Sequence, residues 1–373
     1  MNSVFARLVY TGKKIKENVF VNFSGSEIDS LSSTPKGEVC GEFETVTPAF
    51  IDPHCHIGMF RHGEPPNESD VNDHLDSILP LLNALDGVQM DDDIFRESIE
   101  NGILYSCVLP GSGNIIGGMS AVIRNYALDT NGAFIRNAGL KAAFGYNTMS
   151  PYSREKKGKR ASTRMGCAAI LRSAFYAVLK EKKTDKLTPD QKILKDVLDR
   201  KLRLRVHVHK SDDIALLLRI VDEFNLDITV EHACDVYRIE TFRELAARKI
   251  PVVAGPIEGL GPKVELKHKK LENIKLLLDS GVKFGVMTDH DVNPQSNLFY
   301  VMRHFLRYGA SKEEVISIIT SENADIAGVS DILGTLSKGK WASFICWNGD
   351  PFDLASYPEK VYAEGREVFP YNK

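Results

Sequence analysis

TPAFIDPHCHIG, residues 47–58, sets how the rest of the chain is read. Its first half, TPAFID (47–52), is a short apolar run of the kind that forms a buried strand. Its second half places His54 and His56 two positions apart at the end of that run. Residues i and i+2 of a strand share a face, so both imidazoles point one way and Cys55 points the other. Two aligned imidazoles at the C-terminal end of a buried strand suit the mouth of a parallel barrel, where barrel active sites lie.

Seven further runs extend the pattern: ILYSCVLP (103–110), SAVIRN (120–125), LKAAFG (140–145), LRLRVHV (202–208), LDITVE (226–231), IPVVAG (250–255) and VKFGVMT (282–288). Several are apolar on both faces and end at Gly, Pro or Asn, as buried parallel strands do. Most gaps carry apolar residues at helical spacing, as in DDIALLLRIVDEFN, RIETFRELAARK, LENIKLLLDSG and KEEVISIITSENADIAG. Eight strands with intervening helices predict an α/β fold, a (β/α)8 TIM-like barrel over 47–336. Both chain ends read instead as short strands with turn residues between them, FARLVYTGKKIKENVFVNF at one end and KWASFICWNGDPFDL with EKVYAEGREVF at the other. They predict a small β-sandwich domain built from 1–46 and 337–373.

A length of 373 residues exceeds one ordinary domain but fits a barrel of roughly 250 residues with a satellite. Net charge is −3, which calls for neither nucleic acid nor an anionic membrane as partner. The expected partner is a small-molecule substrate, with homo-oligomer formation left open. The six cysteines form no CxxC pair and read as buried thiols of a reducing compartment. No leader-like or membrane-spanning apolar stretch stands out, so a cytoplasmic location is the expectation. SPYSREKKGKRASTRMG (150–166) is polar and basic; it reads as a solvated loop, or as a cover over the barrel mouth.

Chemistry concentrates at strand ends. His207 ends the fifth strand in VHVHK with His209 two positions on, His232 ends the sixth in VEHA, and Asp289 ends the eighth in MTDH. A lone strand-end histidine is usually a hydrogen-bonding residue. Four strand ends supplying imidazoles and a carboxylate make a nitrogen/oxygen site for zinc or a similar divalent ion. Lys141, in GLKAAFG, must reach solvent or an acid, because a buried lone ammonium is costly. Spacing alone favours a lysine that snorkels to the rim over one carboxylated by CO2. PGSGNIIGGMS fails as a dinucleotide fingerprint, since position 116 is isoleucine where glycine is required. His62 and His74 fall after the first strand, His268 on a solvated face in KHKK, and His304 in the patterned helix VMRHFLR.

These residues together resemble the amidohydrolase superfamily, in its imidazolonepropionase-like and metal-dependent dipeptidase branch. TPAFIDPHCHIG, VLPGSGNIIGGMSAVIR, GLKAAFGYN, STRMG, VHVHKSDDI, VEHA, MTDH and GTLSKGKWASFICWNGDPFD carry the resemblance, with Ala49 where glycine is usual. It implies metal ligands at His54, His56, His207, His232 and Asp289, for one or two ions, and raises Lys141 as a carboxylated bridging ligand. His209 is implied to orient a ligand or the substrate. Deaminase branches carry glutamate soon after the fifth-strand histidine; VHVHKSDD has none, which favours hydrolysis of amide-type bonds. Tyr146 stands where related sequences often have an acid. The implied mechanism uses metal-activated water with Asp289 as general base. Asn147 and His290 are candidates for oxyanion or substrate contacts, Arg164 for a substrate carboxylate and Glu64 for a cationic group. Dipeptides, N-acyl amino acids and cyclic amides are all compatible substrates. A barrel that has lost metal and activity is the competing class.

Overall fold

The computed structural model describes residues 1–61, 68–149, 160–259, 261 and 263–371. His62, Glu64 and 150–159 of the basic segment lie outside them. Eight strands make one sheet: β5 (Phe50–Cys55), β6 (Ile103–Val108), β7 (Ile116–Arg124), β8 (Phe134–Ala143), β9 (Leu204–Val208), β10 (Ile228–His232), β11 (Val252–Ala254) and β12 (Phe284–Val286), in that spatial order. All eight expected strands are present.

The expectation of eight parallel βα units is corrected at the third strand. β7 runs antiparallel to both β6 and β8, while the remaining pairs are parallel. The cause is legible in chain length. A parallel crossover needs a dozen or more residues, and 109–115 is too short for one. The Gly-rich stretch PGSGNI is therefore a hairpin-like link. Gly118 sits at φ 119, where an added Cβ would lie 2.4 Å from the Leu82 carbonyl oxygen. That close approach lets the segment before Leu82 pack along β7, with Met119 donating to Leu82.

The parallel arc has covering helices of the expected kind. Ser211–Phe224 buries Ile214, Leu217, Leu218, Val221 and Phe224 at helical spacing and ends at Asn225 in the left-handed region, φ 52. The seam between β12 and β5 is closed by a side chain. Asn323 Nδ2 donates to the carbonyls of Ile51 (2.7 Å) and Val286 (2.9 Å), and its Oδ1 accepts the Val286 N–H (3.0 Å). Gly285 makes room, since a Cβ there would lie 2.1 Å from that oxygen.

The chain ends form a single seven-stranded sheet. Its strands are β1 (Asn2–Tyr10), β2 (Ile15–Ser24), β3 (Glu27–Ser32), β4 (Glu38–Pro48), β13 (Phe344–Trp347), β14 (Pro358–Ala363) and β15 (Arg366–Phe369), ordered β15-β14-β13-β4-β1-β2-β3. It curls on itself: Phe23 of β2 packs edge-on against Phe344 of β13 and Tyr362 of β14. Only Ala49 separates β4 from β5, so the sheet anchors the strand that carries His54 and His56. All six cysteines are free thiols. Among the described residues no helix is long and apolar enough to cross a membrane.

Candidate active site

Strand alternation fills the barrel interior with polar side chains in two layers. In the lower layer Glu231 accepts hydrogen bonds from Arg205 Nε (2.9 Å) and Nη2 (3.2 Å), from Thr229 Oγ1 and from His54 Nδ1 (2.8 Å). Arg205 also donates to the Pro53 carbonyl at 2.7 Å. All of these side chains are buried. Burial pushes the Glu231 carboxyl up, but Arg205 and His54 outweigh it and hold the group far below the usual carboxylate range. Because Glu231 takes the Nδ1 proton, His54 presents Nε2 upward, 3.1 Å from Lys141 Nζ and 3.6 Å from Asp289 Oδ1.

In the upper layer His207 and His209 follow Arg205 on the same face of β9. His232 follows Glu231 directly, and alternation alone would turn it outward. Its φ of 76 redirects it, and Asp289 is likewise left-handed at φ 54. The rings of His207, His209 and His232 lie 4.2–4.8 Å apart between centroids. Ligand atoms of that trio fall within 4.8 Å of one another, as do those of His54, His232 and Asp289. His56 Nδ1 donates to the Leu109 carbonyl (2.7 Å) and His232 Nδ1 to that of Gly255 (2.9 Å), leaving each Nε2 with a lone pair. His56 Nε2 lies 3.4 Å from Asp289 Oδ1.

Electrostatics favours the neutral form of His54, His207, His209 and His232. Burial, and then the crowding of one imidazole by the next and by Lys141 or Lys263, hold His54, His207 and His209 well below the ordinary histidine value; burial takes His232 to about 4 against the pull of Asp289. Burial pushes the Asp289 carboxyl up, but it lies below the usual carboxylate range because any proton it shares with His232, His56 or His54 goes to the imidazole, so Asp289 is the ionised member of the cluster. Lys141 does not snorkel; it is fully buried, and burial lowers it to about 8 against the pull of Asp289 and Glu231. Among the described residues the buried nitrogens His232 Nε2 and His209 Nδ1 find no hydrogen-bond partner. Orphaned buried acceptors are costly unless something coordinates them. Neutral imidazoles around a carboxylate are the donor set of a divalent cation, so the residues fit a metal ion.

The sequence profile of the amidohydrolase family matches residues 45–368. The chain belongs to the amidohydrolase family. An amidohydrolase from Thermotoga maritima MSB8 is 32% identical, superposes with a TM-score of 0.91, and is covered over 100% of its length by 99% of this chain. A prolidase complexed with N-methylphosphonate-L-proline (15% identical, TM-score 0.61, 98% of this chain on 99% of that one) shares the fold. So does an Xaa-Pro dipeptidase with bound methionine (13% identical, TM-score 0.61, 98% on 99%). Amidohydrolase tasK of Hapsidospora irregularis is 24% identical over 362 residues, covering 88% of this chain. The chain spans about 37% of that curated relative's length.

Above the two layers this amidohydrolase opens a cavity of about 450 Å³, whose lining includes His56, Lys141, His207, His209, Asp289 and Asn147. Asn147 Nδ2 donates to Ser112 Oγ at 2.6 Å and lies 3.5 Å from His207 Nε2. Two of the expected substrate contacts are not brought there. Arg164 gives Nε and Nη2 to the Asp213 carboxylate (2.6 and 3.1 Å), so its fork is engaged at the start of Ser211–Phe224. His290 is buried beneath the cavity, its carbonyl accepting the His56 N–H. His268 faces Asp235 at 3.1 Å rather than solvent alone. Arg205, Glu231, Lys263 and Lys269 are not marked by strand-end position in the sequence. For the first two a signal existed: charged residues inside the apolar runs LRLRVHV and ITVEHA have nowhere to go but inward, and must pair there.

Proposed function

We propose that this amidohydrolase is a metal-dependent hydrolase of amide-type C–N bonds in small molecules. His54, His56, His207, His232 and Asp289 would hold the metal, with Lys141 as a carboxylated ligand and His209 facing the substrate. The observation that carries the proposal is the upper layer itself, where neutral buried imidazoles keep lone pairs without partners beside an ionised carboxylate. A divalent ion, zinc by this donor set, supplies Lewis acidity toward a carbonyl and lowers the pKa of water from about 15.7 toward about 7.

The chain's own groups do the rest. Asp289 accepts the proton of the attacking water at a carboxylate oxygen and delivers it to the leaving nitrogen. Glu231 holds His54 in one tautomer, and the Leu109 and Gly255 carbonyls do the same for His56 and His232. Lys141, lowered to about 8, is partly the free amine at neutral pH. That amine can attack CO2, forming an N–C bond and releasing one proton to give the carbamate anion. The solved relatives named for prolidase and Xaa-Pro dipeptidase activity support an amide substrate by analogy of fold.

The test is metal per subunit by plasma mass spectrometry on protein purified without added metal or chelator, repeated on Lys141→Ala. It is paired with turnover of dipeptides, N-acyl amino acids and cyclic amides. Two equivalents in the parent, fewer in the variant, and hydrolysis that a chelator abolishes are expected. No metal after reconstitution would assign the chain to the non-catalytic barrels.

A further inference from the structure

Two ammonium groups on the cavity wall have no role in the chemistry just described. Lys263 and Lys269 lie in the segment that follows β11, both half-buried and both facing the cavity. Lys263 Nζ donates to Asn147 Oδ1 at 2.7 Å, and the same amide reaches toward His207 Nε2. The ammonium is thus drawn inward, one side chain away from the imidazole cluster. Lys269 Nζ is held by the Glu258 carbonyl at 2.8 Å. Neither lysine has a carboxylate within ion-pair distance among the described residues.

The acids nearby are spoken for. Glu258 is bound by Arg303 (2.7 Å) and His304 (2.6 Å), and Asp289 belongs to the imidazole cluster. Asp291 also lines the cavity, and Glu265, two residues from Lys263 and already accepting the Tyr146 N–H at 2.8 Å, is the other acid whose charge Lys263 feels. An ammonium has three donors, and Lys263 uses one on the protein. A lysine that needed only water would extend outward. We propose that Lys263, seconded by Lys269, binds a free carboxylate on the amine half of the substrate, so that the preferred substrates are N-acyl amino acids or dipeptides with an ionised C-terminus. The carboxylate clamp expected at Arg164 is thereby moved to Lys263. Phe60, Val71 and Val292, which also line the cavity, would suit an apolar side chain of the substrate.

This inference rests on the amide-hydrolase proposal for the substrate but is tested by binding as well as turnover. The probes are N-acetyl-leucine and N-acetyl-leucinamide, titrated calorimetrically into the metal-loaded protein and into Lys263→Gln, with kcat/KM measured for both. The acid is expected to bind and react at least about tenfold better than the amide in the parent, and Lys263→Gln should reduce that preference to about twofold, chiefly through KM. Tight acid binding lost in Lys263→Gln, with no turnover of either probe, would support the clamp while overturning the hydrolase proposal. Equal binding of acid and amide, no binding, or a preference that survives Lys263→Gln would overturn the clamp.

Discussion

Around Glu231 the barrel interior is closed on itself; one layer nearer the mouth it is open. In the lower layer the carboxylate has Arg205, Thr229 and His54 as partners, and the guanidinium reaches Pro53 as well. In the upper layer His232 Nε2 and His209 Nδ1 have none among the described residues. The upper imidazoles are nearly as buried as the lower layer, His207, His209 and His232 being only 3–5% exposed, so solvent does not account for the difference. A buried charge must be paired by the protein itself, or folding fails to offset its desolvation. A buried neutral imidazole is cheaper and can be left with a lone pair for a ligand that arrives later. The lower layer holds His54 in place; the upper layer leaves lone pairs open to a ligand.

The comparison breaks first at Asp289. Asp289→Asn keeps the shape and removes the proton acceptor, so turnover of an amide substrate should fall about 10²- to 10⁴-fold. The urea midpoint of metal-free protein should move by less than about 1 kcal/mol equivalent, since the layer contributes function more than cohesion. Turnover within threefold of the parent would remove Asp289 from the chemistry.

Arg205→Met tests the opposite layer. It strips Glu231 of its main counter-charge while filling most of the volume. A buried pair broken on one side costs about 3–5 kcal/mol, read as a lower urea midpoint. Arg205→Met combined with Glu231→Leu should recover part of that loss, because the stranded charge is gone. A single variant as stable as the parent would mean that Glu231 takes a proton there instead.

Much of this was legible in the sequence because strand periodicity and strand ends are local. HxH at 54 and 56, His207, His232 and Asp289 all announce themselves at the ends of apolar runs. The direction of β7 is not carried by its apolar pattern; it is set by the short 109–115 link, which cannot make a parallel crossover. His232 reaches the site only through a left-handed backbone that no propensity encodes for histidine. Lys141 read as a snorkelling side chain because its acids, Asp289 and Glu231, are distant in sequence and adjacent only in the closed barrel.

Arg164 gives the smallest expected effect and the sharpest contrast with Lys263. Both are cations near the mouth, and Arg164 is the sequence's candidate for a substrate carboxylate, with a planar fork suited to bidentate contact. The fold decides otherwise, since Asp213 in the first turn of Ser211–Phe224 is buried and already occupies that fork. Arg164→Ala should therefore change KM for N-acetyl-leucine by less than about twofold. It should cost only about 1 kcal/mol of stability, because Arg164 is 41% exposed and solvent can replace part of what Asp213 loses. A tenfold rise in KM would mean that Asp213 releases Arg164 when substrate enters. The clamp would then sit on the β8 side of the mouth, and Lys263 would be left with no task beyond holding Asn147.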